Sequence, residues 1–253
     1  MQKKRILLKI GSNTLTKETD HISRGKIEDI GRQIAKLKDS YEFIIVSSGA
    51  IAAAKQFVKL EHNGQEITVK QALASIGQPH LMRIFQENFR ELGLFTSQCL
   101  LSYSDFEREV SKENICNTIN VLVANNFIPI INENDTVATD EIKFGDNDKL
   151  AALTAALMKV DLLIIATNTD GIYTKESFIN KKPETIRLVS NLDDLQKEVS
   201  SSKSSHGTGG MESKIEAANI ARQANVETWI VNGLQDNFII DALENKTAFT
   251  TIK

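Results

Sequence analysis

The chain has 253 residues, and 30 Lys+Arg against 33 Asp+Glu leave a formal charge of −3, which excludes a strongly basic nucleic-acid binder. With 41% apolar residues, 25% charged residues and three prolines, the composition is that of an ordinary globular protein and not of a disordered or fibrous one. A length near 250 is compatible with one large α/β unit or two small domains.

The amino terminus, MQKKRILLKIGSN, is basic, but its apolar run from Ile6 to Leu8 is too short for a secretory h-region. No stretch approaches the roughly 20 apolar residues of a membrane span. Cys99 and Cys116 form no C-x-x-C pair, so reduced thiols and a cytoplasmic location are expected. The four histidines show no metal-ligand spacing.

Short runs rich in Ile, Val and Leu at 5–10, 43–46, 94–101, 127–131, 162–166 and 226–231 predict buried strands. Helical spacing lies between them. Ile27, Ile30, Ile34 and Leu37 form one apolar face behind a cap at Ser23; Leu150, Leu153 and Leu157 follow Asp146; Met211, Ile215, Ala218 and Ala221 follow the glycines at 207, 209 and 210. This alternation predicts an α/β sandwich with a mainly parallel sheet.

Open α/β sheets bind ligands along the carboxyl edge of their strands. Lys9, Gly11 and Ser12 stand at the end of the first predicted strand, and Ser47, Ser48 and Gly49 at the second. Asn132, Glu133, Asn134 and Asp135 follow the fourth, and Thr167, Asn168 and Asp170 the fifth. Any one cluster is explained by turn chemistry. Together, and with a lysine in the first, they predict a ligand site. The serine-rich segment 200–205 leads through His206 and Gly207 to Thr208, Gly209 and Gly210, and then to Met211, Glu212, Ser213 and Lys214. That is the pattern of a loop closing on phosphate ahead of a helix. Neither a G-x-x-x-x-G-K-S/T loop nor a strand-linked G-x-G-x-x-G fingerprint occurs, which removes the P-loop and dinucleotide-binding readings.

Five segments in order, Lys9-x-Gly11-Ser12, Val46-Ser47-Ser48-Gly49-Ala50-Ile51-Ala52, Asn132-Glu133-Asn134-Asp135, Phe144-Gly145-Asp146-Asn147-Asp148 and Gly207-Thr208-Gly209-Gly210-Met211, resemble the amino acid kinase family. Within it they resemble the branch acting on L-glutamate. The resemblance implies one three-layer αβα domain over residues 1–253, with glutamate bound by its amino-terminal part and ATP by its carboxy-terminal part; many family members carry a C-terminal RNA-binding-like PUA domain, and none is expected here. It implies ATP-dependent phosphorylation of the γ-carboxylate of glutamate, the first step of proline biosynthesis.

Site roles follow by the same resemblance. Lys9 and Lys214 are expected to hold the transferring phosphoryl group, and Asp148 to organise them as a third catalytic residue. Ser48, Asp135 and Asn147 are expected to bind glutamate. Lys9, Gly11, Ser12, Gly49, Thr167, Asn168 and the run from Thr208 and Gly209 through Gly210, Met211, Glu212 and Ser213 to Lys214 are expected around the nucleotide. Mg2+ is expected on the ATP phosphates with no direct protein ligand assigned; capping is the expected role of Asp146. Proline as a feedback inhibitor and a homodimer or homotetramer are further expectations.

One departure stands out. The family shows Thr-Asp ahead of Gly-Leu/Ile-Tyr-Thr, whereas here Thr167-Asn168-Thr169-Asp170 precedes Gly171-Ile172-Tyr173-Thr174, so the acid has moved to Asp170 or been replaced by Asn168. Two alternatives accompany the reading: a related family enzyme acting on another acid or phosphate acceptor, and a catalytically silent amino-acid sensor. The presence of both Lys9 and Lys214 argues against the sensor, which needs no cations at a phosphoryl position.

Overall fold

The computed structural model of the chain describes residues 3–17, 19–60, 66–138, 147–174, 177, 183–191, 195 and 210–253. Its centre is β1 (Lys4–Ile10), whose side chains alternate between two cores: Ile6, Leu8 and Ile10 pack on one face of the sheet and Leu7 on the other. β2 (Tyr41–Ser47) and β5 (Leu162–Thr167) flank β1 in parallel register, with Lys9 level with Val46 on one side and Ile165 on the other. The remaining strands are β3 (Phe95–Leu101), β4 (Phe127–Glu133), β6 (Leu188–Val189), β7 (Glu227–Asn232) and β8 (Phe249–Ile252). They complete an eight-stranded sheet ordered β3-β4-β2-β1-β5-β7-β8-β6, parallel at every pairing except β7 with β8.

Helices cover both faces. On the Ile6 side lie α1 (Ser12–Thr16), α2 (Arg24–Leu37), α3 (Ala50–Lys55), α4 (Glu66–Arg90) and, near the carboxyl end, α8 (Phe238–Leu243). On the Leu7 side lie α5 (Glu109–Ala124), α6 (Asp148–Met158) and α7 (Met211–Gln223). The predicted αβα layering with a mainly parallel sheet is therefore present. α2 starts as the sequence indicates, with the Ser23 side chain accepting from Lys26 N and Ile27, Ile30 and Ile34 buried.

The strand boundaries extend beyond the apolar runs at the carboxyl edge. Ser47, Asn132, Glu133 and Thr167, expected just after strands, are the last residues inside β2, β4 and β5. All four are buried, so the polar edge belongs to the sheet itself. α4 escapes a periodicity reading because Pro79 lies within it and its apolar face is interrupted by Gly77 and Gln78, both buried. Gly77 permits a close approach: a Cβ there would stand 1.8 Å from Ala50 O, so α4 lies directly on the first turn of α3.

Candidate active site

The parallel register brings three strand ends into line. Ile10 pairs with Ser47 of β2 and Ala166 of β5, and Ser48 N donates to Ile10 O at 3.0 Å. Gly11 follows as the cap of α1, and a Cβ on it would meet Lys9 Nζ at 3.5 Å, so the Lys9 ammonium lies beside this turn. Gly49 has φ +101°, a conformation that favours glycine, and caps α3 where a Cβ would meet Ile22 and Leu15 at 3.3 Å. Gly11, Ser12, Ser48 and Gly49 thus border the end of Lys9's strand.

Asp148 is the first residue of α6 and is fully buried. Its two oxygens receive the two lysines separately: Lys9 Nζ lies 2.5 Å from Oδ1 and Lys214 Nζ 2.9 Å from Oδ2. Lys9 is 3% and Lys214 6% exposed. Ser213 Oγ lies 3.0 Å from Asp148 Oδ2 and 2.8 Å from Gly210 O, sharing its single proton between them. Two ammonium groups thus meet one carboxylate, which fixes them at the strand edge. The amino end of α6 adds its own positive field next to Asp148.

The neighbouring Asn147 is buried and turns its amide inward. Asn147 Nδ2 donates to Ser47 O at 2.6 Å and to Asn132 Oδ1 at 2.7 Å. Asn132 Oδ1 also accepts from Glu133 N at 2.9 Å, while Asn132 Nδ2 donates to Gln78 Oε1 at 2.7 Å. Gln78 Nε2 continues the chain to Gln98 Oε1 at 3.3 Å. The far end opens into a cleft lined by Ser75, Gln78, Gln98, Glu133, Asp135 and Thr136. Burial pushes the Asp135 carboxyl up to about 6 from its usual 3.8. The sequence reading placed Asp135 and Asn147 near the site but missed Gln78 and Gln98. The available signal for Gln78 was a polar side chain between the buried Ala74 and Leu81 on an apolar helix face.

On the other side of Lys9, Thr167 is buried at the end of β5 and its carbonyl accepts from Gly233 N at 2.8 Å. Asn168 is exposed. Asp170 Oδ1 accepts from Asn232 Nδ2 at 2.8 Å and Gln235 Nε2 at 3.0 Å, bracing this loop against the end of β7 and the segment after it. Gly210 caps α7, and Met211, Glu212 and Ser213 form the turn that carries Lys214. Thr208, Gly209, the 200–205 segment, Phe144, Gly145 and Asp146 lie outside the described residues.

No group of three or more His, Cys, Asp or Glu that could hold a metal is found among the described residues. Asp148 already has a lysine on each oxygen, so it does not offer a vacant carboxylate to a divalent ion. No helix among the described residues is long and apolar enough to cross a membrane.

Comparisons with known proteins bear on the chain as a whole. Residues 4–232 match the model of the amino acid kinase family. The chain is 43% identical over 237 residues to a glutamate 5-kinase of Caldanaerobacter subterraneus subsp. tengcongensis, covering 93% of this chain and 64% of that protein. It is 39% identical over 249 residues to a glutamate 5-kinase of Alkaliphilus oremlandii, covering 98% and 95% respectively. Thus the chain spans a little under two thirds of the first relative and nearly all of the second. Among solved structures, UMP kinase from Ureaplasma parvum superposes with a TM-score of 0.68 at 19% identity over the whole of both chains. Carbamate kinase from Giardia lamblia bound to AMP-PNP does so with a TM-score of 0.68 at 15% identity, over 99% of this chain and 98% of that one.

Proposed function

The chain belongs to the amino acid kinase family, and we propose that it transfers the γ-phosphoryl group of ATP to the γ-carboxylate of L-glutamate, giving L-glutamyl 5-phosphate and ADP, the first step of proline biosynthesis. The observation that carries this is the Lys9–Asp148–Lys214 cluster: two buried ammonium groups fixed by one carboxylate at the strand edge.

In the reaction, a carboxylate oxygen of glutamate forms a bond to the γ-phosphorus as the bond to the β-phosphate bridging oxygen breaks, and ADP leaves with that electron pair. A carboxylate is already a nucleophile, so no general base is needed and no proton moves. Catalysis reduces to alignment and to charge neutralisation on the transferring oxygens. Lys9, next to Gly11, Ser12 and Gly49, takes the side from which the acceptor arrives. Lys214, first turn of α7, follows the charge that develops toward the leaving ADP. Asp148 touches both and keeps their separation fixed, so the electrostatic environment does not have to reorganise during transfer. Magnesium enters on ATP and offsets phosphate charge.

Glutamate carries an ammonium and two carboxylates, so its site needs an acid as well as donors. Asp135 supplies the acid, and Ser48 and Asn147 supply donors. Thr167, Asn168 and the run from Thr208 and Gly209 through Gly210, Met211, Glu212 and Ser213 surround the nucleotide. Lys9 lies near the start of the chain and Lys214 near its end, so residues 1–253 act as one catalytic unit. The same reading extends to a cytoplasmic homodimer or homotetramer inhibited by proline.

ADP release measured over a panel of acceptors tests the assignment. L-Glutamate should support turnover. Activity on N-acetylglutamate, carbamate or UMP in its absence would overturn the acceptor.

A further inference from the structure

The hydrogen-bond chain from Ser47 to Gln98 has a polarity that is fixed at two points by backbone groups. Ser47 O is a carbonyl and can only accept, so the Asn147 atom facing it at 2.6 Å is the amide nitrogen. Glu133 N can only donate, so the Asn132 atom facing it at 2.9 Å is the amide oxygen. The remaining orientations then follow without freedom. Asn132 turns Nδ2 to Gln78, Gln78 receives it on Oε1 and turns Nε2 to Gln98, and Gln98 receives that on Oε1. Both N–H groups of Gln98 are left for the cleft that it lines with Glu133 and Asp135.

We propose that Gln98 is a substrate-binding residue that reads the α-carboxylate of the acceptor amino acid through its Nε2 hydrogens, an inference that rests on the glutamate reading above. The cleft then offers both signs of group needed by a zwitterionic head: a carboxylate at Asp135 for the ammonium and forced amide donors at Gln98 for the carboxylate. The dimensions agree. β4 lies between β2, which Ser48 directly follows, and β3, which carries Gln98. Two strand spacings of about 4.8 Å separate β2 from β3. A five-carbon diacid with its γ-carboxylate beside Ser48 extends across β4 toward Gln98, whose side chain already reaches back over β4 to Gln78.

Gln98 is exposed on edge strand β3, so substitution there leaves the core intact. Gln98→Glu keeps the shape and the acceptor for Gln78 while replacing the amide donors by a second carboxylate oxygen. The test compares kcat/KM of wild type and Gln98→Glu on L-glutamate and on 4-aminobutyrate, which has the amine and the reacting carboxylate but no α-carboxylate. The expected result is at least a tenfold loss on glutamate, carried by KM with kcat largely kept, and no loss on 4-aminobutyrate, so that the preference for glutamate collapses. Gln98→Met, neutral and without donors, should show the same pattern more weakly. Equal losses on both acceptors, or full retention of glutamate KM, would overturn the role of Gln98 while leaving the enzyme a glutamate kinase. A wild-type protein that phosphorylates neither compound would refute the glutamate reading, and this assignment with it.

Discussion

Lys214 Nζ donates to Asp148 Oδ2 at 2.9 Å, joining the first turn of α7 to the first residue of α6 in a buried contact. The other oxygen of Asp148 holds Lys9, so one side chain sets the distance between the two cations proposed to flank the transferring phosphoryl group.

Removing one cation should therefore affect turnover far more than acceptor binding. Lys214→Ala is expected to lower kcat by about 10²–10³, the loss typical of deleting one fixed charge-stabilising group. Glutamate affinity measured by calorimetry should stay within a few-fold of wild type. Unchanged kcat would remove Lys214 from the catalytic role.

Loss of the central carboxylate has a structural cost as well. Asp148→Ala leaves two buried lysines without their shared partner, and breaking a buried pair costs about 3–5 kcal/mol. In a chain of this size that corresponds to a melting temperature roughly 6–20 °C lower. Thermal unfolding of the variant checks this, and an unchanged midpoint would show that the cluster is not held together as described.

The raised pKa of Asp135 sets a pH dependence. Its carboxyl titrates near 6, so below that pH it becomes protonated and ceases to attract the ammonium of glutamate. KM for glutamate should rise as pH falls from 7 to 5, approaching about tenfold per pH unit at the acid end. An Asp at its usual value would show almost no change over that window. In Asp135→Asn this pH dependence should vanish and KM should be high throughout.

Helix α4 positions the Ser48–Gly49 turn by resting on α3. A Cβ at Gly77 would stand 1.8 Å from Ala50 O, a backbone atom that cannot swing aside. Gly77→Ala should cost about 1–3 kcal/mol in chemical denaturation. Because Ala50 directly follows Gly49, KM should rise in the surviving folded enzyme. A variant as stable as wild type would contradict the tight approach.

Lys9 and Lys214 could be picked out from the sequence by a physical rule, a cation at a central strand end and a lysine one turn beyond glycines, whereas Asp148 was indicated only by the family resemblance. The register of three parallel strands could not be read, yet it is what brings Lys9 level with Val46 and Ile165. Gln98 gave no local signal, since a glutamine is common on exposed strands, and Gln78 gave only that of a polar side chain on an apolar helix face; their meaning arises when β3, β4 and α4 bring them together. Strand β8 was missed for a related reason. Its four residues, Phe249–Ile252, are too few for periodicity, and antiparallel pairing with β7 completes them. Asp170 was legible as an acid but not as a brace, because its partners Asn232 and Gln235 come from the distant β7 end.

The most direct test traps the product. Acyl phosphates react with hydroxylamine to give stable hydroxamates, so incubation with L-glutamate, ATP, Mg2+ and hydroxylamine should yield γ-glutamyl hydroxamate in proportion to ADP. Hydroxamate that appears with wild type and disappears with Lys214→Ala is the predicted result. ADP release without hydroxamate, or no glutamate-dependent ADP release, would contradict phosphoryl transfer to the γ-carboxylate.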